Sequence, residues 1–409
     1  MRALAGVAAL LLLAWLLSED RGKIPWRTVI GGVALQFALA LLLIGFPPAT
    51  RAVLVLNDAA DALQRATDAG TGFVFGYLAG GNLPFTESHP GAAFILAFKA
   101  LPLVLVISAL ASLLFHWGVL QAVMRGFAWL LRRSLGVGGA LALGAAVHVF
   151  VGMIEAPLLV RPWLARMQRG ELFALMSCGM AGIAGTVMVI YAAIIGPVIP
   201  NALGNILIAS VISTPAALAI AALMVPFTPS DEAARITLPH PPANALDAIV
   251  RGTSDGIPVL VGIVAVLLVT VSLVTLANMV LALAPLDPPL TLQTIFAWPF
   301  RPITWLIGIP WDETAAAAAL MASKTVLNEF VAYLNFAALP PAALSPNSRL
   351  IMTYALCGFA NFGSLGILIG GMGAMVPERR HEIVALGVRS IVSGTLATCT
   401  SGAVAGLLG

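Results

Sequence analysis

Charge is scarce in this sequence. Asp, Glu, Lys and Arg make up 10% of its 409 residues, while apolar residues reach 60%; an ordinary soluble domain carries roughly 25% charge. So little charge cannot solvate the surface of a large soluble body, and the chain reads as an all-α polytopic membrane protein. Cysteine is nearly lacking as well. Cys178, Cys357 and Cys399 lie in apolar stretches without disulfide or metal-ligand spacing, which excludes a disulfide framework and leaves small buried side chains. There is no His-Glu-x-x-His and no pair of intramembrane aspartates, and the single Gly-x-Ser-x-Gly, at 252–256, runs into a long apolar stretch rather than joining a strand to a helix, so an intramembrane hydrolase is not supported. The net charge of +3 is small and its basic residues are scattered, which argues against a nucleic-acid partner. No cofactor or resident metal is implied.

Long apolar runs, in contrast, are plentiful. Stretches at 3–18, 28–46, 94–116, 172–198, 203–227, 256–285, 349–375 and 385–408 predict about eight transmembrane helices. The first, "MRALAGVAALLLLAWLLSED", has Arg2 ahead of its apolar run but no small-residue cleavage site, so it reads as a retained helix. Arg21, Lys23 and Arg27, then Arg125, Arg132 and Arg133, then Arg161, Arg166 and Arg169, and finally Arg379 and Arg380 fall in alternate connections. By the positive-inside rule these face the cytoplasm. The opposite connections hold only Arg51, Arg65, Arg301 and Arg349, so both termini are expected in the periplasm. Asp58, Asp61 and Arg65 share one helical face and predict an interfacial helix against membrane lipid.

Two apolar segments are interrupted. Residues 136–160 are broken by Gly152 and by Glu155-Ala156-Pro157, and residues 313–340 by "SKTVLNEF" and the Pro340-Pro341 pair. Broken backbone at membrane depth survives only where protein or a cavity satisfies it, so both read as re-entrant helical hairpins entering from opposite sides. Glu155 is followed by "GMAGIAGTV" from Gly179, and Glu329 by "GFANFGSLG" from Gly358, a pattern consistent with an inverted repeat. The expected organisation is a single membrane domain over 1–409. Residues 1–135 form scaffold and interfacial helices, and 136–227 the first hairpin repeat. Residues 228–255, including "PSDEAARITLPHPPANALD", are a cytoplasmic connection, and 256–409 hold a scaffold helix, the second hairpin repeat and the last helix.

Carboxylates inside a bilayer are costly, at least about 2.5 kcal/mol even on insertion scales, and usually face a cavity or a partner. Glu155 and Glu329 are therefore the sharpest candidates for function, with Lys324 or a backbone amide as the alternative partner that would make them structural. Asn361 and Ser364, three apart, would share a helical face and present an amide and a hydroxyl, either to a ligand or to a neighbouring helix. His148 is either a titrating group or a neutral, hydrogen-bonded core residue.

The stretches "RTVIGGVALQFALALLL", "VGMIEAPLLVRPWL", "VLNEFVAYL", "TYALCGFANFGSLGILIGG" and "PERRHEIVALGVRSIVSGTLAT" resemble the concentrative nucleoside transporter family in its short eight-helix bacterial form, over nearly the whole chain. The resemblance implies a homotrimer in the bacterial inner membrane, importing nucleosides on a sodium or proton gradient by moving a hairpin-bearing domain against a scaffold. Carried over by position, it implies that Glu329 accepts hydrogen bonds from ribose hydroxyls, that Asn361 and Ser364 contact the sugar, and that Phe359 and Val187 line the pocket. Glu155 stands at the position of the family's first-hairpin glutamate.

Two parts of the pattern depart. The family's first hairpin reads Gly-Gln-Thr/Ser-Glu, and this chain reads Gly152-Met153-Ile154-Glu155, so two polar contacts to the base become aliphatic and polar discrimination falls. An apolar base, a modified nucleoside or another ribosyl compound is then expected, the alternative being the same fold turned to a different small solute. The family also has an asparagine where His148 stands and a serine or threonine where Gly182 stands. Both sodium-ligating side chains are lost, leaving carbonyls such as those of Val151 and Ile183. Proton coupling is expected over sodium, with His148 or Glu155 as the titrating group.

Overall fold

The computed structural model describes residues 2–79, 81–86, 93, 95–228, 242–284, 286, 287 and 289–409, with backbone alone for 47–54, 56, 57 and 60. Within the expected connection at 228–255, residues 229–241 lie outside the described part. Every regular element among the described residues is helical.

The chain opens with α1 (Arg2–Leu16), α2 (Trp26–Gly45) and α3 (Pro47–Phe75), the last begun by a proline where no backbone donor is needed. The segment expected as an interfacial helix is helical, as part of α3, with Asp58, Asp61 and Arg65 exposed on it. A short α4 (Leu96–Lys99) leads into α5 (Leu103–His116), and α6 (Val119–Leu135) follows. Glycines with left-handed backbone, Gly118 at φ 78° and Gly136 at φ 69°, delimit α6.

From here one sequence of elements occurs twice. A hairpin arm α7 (Gly139–His148) packs on α8 (Glu155–Leu159) and leads through α9 (Arg161–Leu164) to α10 (Arg169–Ala181), α11 (Gly185–Ile195) and the long α12 (Ala202–Met224). After α13 (Ala245–Leu281) and α14 (Leu292–Leu306), the second hairpin pairs α15 (Thr314–Val326) with α16 (Glu329–Ala337). Then come α17 (Pro346–Leu356), α18 (Phe362–Met375) and the long α19 (Arg380–Leu408). Hairpin, broken helix and long helix thus recur in the same order.

Six helical stretches are long and apolar enough to cross a membrane: Trp26–Gly45, Leu96–His116, Arg169–Ile195, Ala202–Met224, Ala245–Leu281 and Pro377–Leu408. Three of the eight expected spans differ in form. The span at 3–18 is α1, only 15 residues long. Those at 172–198 and 349–375 are each two helices, parted at 182–184 and 357–361. Their apolar composition is continuous, which is why periodicity alone runs them together. The span at 256–285 starts earlier, at Ala245, where the Asn244 side chain accepts a hydrogen bond from the backbone N–H of Asp247.

The core sits where α12 and α19 meet α2, α10 and α17. Small residues let these backbones approach, as expected where hydrophobic segregation cannot drive helix pairing. Gln36 of α2 donates to Thr400 and Ser401 of α19 at 3.3 and 3.1 Å, and the Ser213 and Ser401 hydroxyls lie 2.8 Å apart. A hydrophobic interior is thereby cross-linked by short polar groups that satisfy one another.

At one end of the bundle the charges pair. Glu19, between α1 and α2, accepts two hydrogen bonds from Arg169 at 3.1 and 2.9 Å and one from Arg389 at 2.9 Å. Arg169 lies 3.7 Å from Glu382, which takes two further bonds from Arg379. Arg379 also donates to the carbonyls of Leu164 and Met167 beyond the first hairpin, and Arg27 lies against Gly136 at the end of α6. All four basic connections assigned to one membrane side therefore gather at one end of the molecule. The hydrogen bond from Arg169, opposed by partial burial, holds the Glu19 carboxyl below its ordinary value. A depressed carboxyl stabilises the fold at pH values above about 4.3, the ordinary glutamate value, and that contribution is lost as the pH falls below it. Glu19→Gln is accordingly expected to lower the melting temperature in detergent at pH 7, with the difference from wild type shrinking toward pH 4; a difference independent of pH would refute the charge assignment.

Candidate functional site

The second hairpin positions the most heavily engaged buried carboxylate. Asn328, in extended backbone, caps α16 by accepting from the Val331 N–H at 2.9 Å, which sets Glu329 as the first helical residue. Glu329 is 5% exposed. Its Oε1 accepts from the Tyr191 hydroxyl of α11 at 2.7 Å, and its Oε2 accepts from Nδ2 of Asn361 at 2.8 Å. Both oxygens are therefore engaged, one by each repeat. The Tyr191 ring lies between Phe330 and Tyr333, with centroids 5.9 and 5.1 Å away, and the Tyr333 hydroxyl donates to the Thr353 carbonyl at 2.9 Å.

Asn361 and Ser364 do come together, though not as neighbours on a helical face. Asn361 is the cap of α18: its Oδ1 accepts from the Ser364 backbone N–H at 2.7 Å while its amide nitrogen reaches Glu329. The spacing of three is that of a cap to its third helical residue, so one side chain ends the helix break and holds the carboxylate. Asn361 is fully buried and Ser364 nearly so.

The two interruptions touch. The Phe359 N–H, in the break of the second repeat, donates to the Gly182 carbonyl in the break of the first at 3.2 Å. Gly358 makes the approach possible, since a β-carbon there would lie 2.9 Å from the Met180 carbonyl oxygen and 2.8 Å from Thr398 Cγ2. The Ile183 N–H donates to Ser210 of α12 at 3.3 Å, and the Gly185 N–H to the Phe150 carbonyl of the first hairpin at 3.2 Å. Val187, on the first turn of α11, is buried and Phe359 half-buried.

The first hairpin contributes differently. His148 ends α7 with its ring against Gly179 of α10, and its Nε2 is buried without a hydrogen-bond partner. Met153 packs on Gly179 and Ile154 on Gly371 of α18. Val151 and Gly152 are half-buried at the turn between them. Glu155 is exposed, its carboxylate folded over Gly152, and it takes no part in the Glu329 network. The two glutamates, alike in sequence, therefore have opposite surroundings.

Lys324 is not a direct ion-pair partner of either; its ammonium donates to the Ala355 carbonyl at 2.9 Å and to Thr398 at 3.2 Å. Tyr191 went unnoticed in the sequence. Its signal was there, as one of four tyrosines in the chain, set within the apolar run "VMVIYAAII", where a buried phenol needs a partner. A cavity of about 480 Å³ lies between α3 and the α11–α12 turn, bordered by Asp58, Asp61, Val189 and Asn201, and neither Glu329 nor any of its bonded partners lines it. Buried polar groups converge instead in the closed cluster around Glu329.

Residues 5–78 match the model "Na+ dependent nucleoside transporter N-terminus", 97–198 match "Nucleoside recognition", and 205–406 match "Na+ dependent nucleoside transporter C-terminus". A transporter of Haemophilus influenzae is 38% identical over 98% of this chain and 96% of its own. The nucleoside permease NupC of Helicobacter pylori is 31% identical over 98% and 96%. A solved structure of CNTnw in an inward-facing substrate-bound state superposes with a TM-score of 0.89 at 35% identity, covering 100% of this chain and 98% of that one.

Because Asn361 serves both the helix cap and the carboxylate, Asn361→Ala is expected to cost about 1–3 kcal/mol, the range for stranding a buried polar group. Thermal or denaturant unfolding in detergent measures it, and Thr275→Ala, on the exposed surface of α13, serves as the control that should change little.

Proposed function

This chain belongs to the Na+ dependent nucleoside transporter family, and from that membership we propose that it imports nucleosides or a nucleoside-like ribosyl compound across the bacterial inner membrane, coupled to protons rather than sodium. As a member of a transporter family it is not an enzyme. The observation that carries the substrate reading is the Glu329 carboxylate, buried and bonded on both oxygens by neutral donors, Tyr191 and Asn361. A ribose presents two adjacent hydroxyls, which can replace or extend those donors without leaving a buried charge unsatisfied. Asn361 and Ser364 then meet the sugar, while Val187 and Phe359 border it.

The aliphatic pair Met153 and Ile154, with Gly152, stands on the base side. Its lack of polar groups favours a base with few hydrogen-bonding demands there. Glu155, exposed beside them, is a candidate proton carrier alongside His148.

Sodium prefers oxygen ligands, and the first repeat offers few here. His148 supplies an imidazole whose buried Nε2 has no partner, Gly182 supplies no side chain and its carbonyl is engaged by Phe359, and the Ile183 N–H already uses Ser210. The residues at the sodium position therefore do not suit the ion, and the Val151 and Ile183 carbonyls alone are a thin set.

The basic end of the bundle, with the Glu19 network, is proposed to face the cytoplasm, and both termini the periplasm. The exposed apolar surface of α13, including Leu268, Leu273, Leu276 and Met279, needs covering by lipid or by other copies, consistent with a homotrimer.

Proteoliposomes loaded under separately imposed proton and sodium gradients, and offered radiolabelled uridine, adenosine and modified nucleosides, test the reading. Uptake should follow the proton gradient. Glu329→Gln, at normal membrane insertion, should cut it by about 10–100-fold, the loss of a charge-assisted hydrogen bond of about 1.5–3 kcal/mol. Uptake that follows sodium and ignores pH overturns the coupling assignment. Binding of no member of the nucleoside panel would mean a fold turned to another solute.

A further inference from the structure

Lys324 is fully buried. An ammonium in such a place costs several kcal/mol unless hydrogen bonds and an opposite charge compensate it. The hydrogen bonds have a local cause. Because α17 stops at Leu356, its last carbonyls have no partner within a continuing helix. Thr353 O accepts from Tyr333, Tyr354 O from the Cys357 N–H and Leu356 O from the Gly358 N–H. Ala355 O accepts from Lys324 at 2.9 Å. The lysine thus completes the last turn of α17, where the helix dipole also favours a cation, and its second bond goes to Thr398 of α19.

Neutral acceptors satisfy the N–H groups but leave the charge uncompensated. Among the described residues the buried carboxylates are Glu171 and Glu329. Glu171 lies at the start of α10 and accepts from the Gln168 N–H, so Glu329, on the same hairpin as the lysine, is the carboxylate placed to serve as counter-charge. Glu329 lies five residues further along the same hairpin and is held by different partners, Tyr191 and Asn361. The two charges are therefore fixed separately and balance through space rather than by direct contact. In a low-dielectric interior such an interaction extends well beyond hydrogen-bond range.

We propose that Lys324 is the built-in counter-cation of Glu329 and determines the charge selectivity of the site, so that the carboxylate accepts uncharged ribosyl compounds and disfavours cationic ones. The second half rests on Glu329 being the ribose-binding group; the pairing does not. With Lys324 present, the buried unit is neutral before a ligand arrives, and a neutral sugar leaves it neutral. Without it, an isolated carboxylate attracts a cation instead.

The test uses the full-length protein in detergent and two ligands that share a ribose: uridine, which is uncharged, and nicotinamide riboside, which carries a permanent positive charge on its base. Calorimetric titration should show Lys324→Met weakening uridine binding and raising the nicotinamide riboside to uridine affinity ratio by about tenfold, a shift of about 1.4 kcal/mol, with Lys324→Arg restoring the wild-type ratio. Equal weakening of both ligands overturns the selectivity role, since a merely structural lysine predicts it. A thermal-unfolding cycle of Lys324→Met, Glu329→Gln and the double variant tests the pairing without any ligand. The lysine substitution should cost much less in the Glu329→Gln background; additive losses overturn the pair. If Lys324→Met alone does not fold, recovery of folded protein in the double variant supports the pair, and failure of both overturns it. Should wild type bind neither compound, the ribose reading and the selectivity fall together, while the pair still stands or falls by the cycle.

Discussion

A bilayer offers no water to the ends of an interrupted helix, so every carbonyl and N–H freed at a break must be answered from within the protein. Much of this structure follows from that requirement. The breaks at 182–184 and 357–361 are answered by each other, through Phe359 and Gly182, and by side chains from α12, α15 and α16. One of the polar groups brought in for that purpose, Asn361, is also a bonded partner of Glu329. Asn361 caps α18 and grips the carboxylate; Lys324 completes α17 and balances its charge. Backbone satisfaction and the proposed substrate site are one construction.

Charge is handled in two ways, according to what surrounds it. At the end of the bundle, Glu19, Arg169, Arg389, Glu382 and Arg379 pair directly in a partly exposed cluster, where each contact is weak and the set acts collectively. In the interior, the lysine and the glutamate have separate sets of neutral partners. Direct pairing there would use up the carboxylate oxygens. Holding them on exchangeable hydroxyl and amide donors keeps them available for a sugar, as proposed.

The two repeats have diverged in chemistry while keeping their order of elements. The second carries Asn328, Glu329, Lys324 and Asn361, all buried and bonded. The first carries His148 with an unpartnered nitrogen, aliphatic Met153 and Ile154, and an exposed Glu155. The buried, bonded half is thus the one proposed for the sugar, and the aliphatic and unpartnered residues fall in the half proposed for the base and the coupling ion. In a family described as sodium-dependent, this chain carries His148, with its unpartnered Nε2, and Gly182, without a side chain, at the positions proposed for the coupling ion.

The scarcity of charge and the length of its apolar runs determined that this chain is a helical membrane protein, because only helices or closed barrels satisfy their backbone in lipid. The two hairpins were equally legible, since proline, glycine and glutamate interrupt apolar patterns locally. The breaks inside 172–198 and 349–375 were not, because the runs they divide are almost continuously apolar and only partners distant in sequence stabilise the opened backbone. For the same reason Glu155 and Glu329 looked equivalent in sequence, each a lone carboxylate in an apolar hairpin. Tertiary structure alone decided that one is exposed over Gly152 and the other is enclosed by Tyr191, Asn361 and the charge of Lys324, because a side chain's solvation depends on which other segments pack against it.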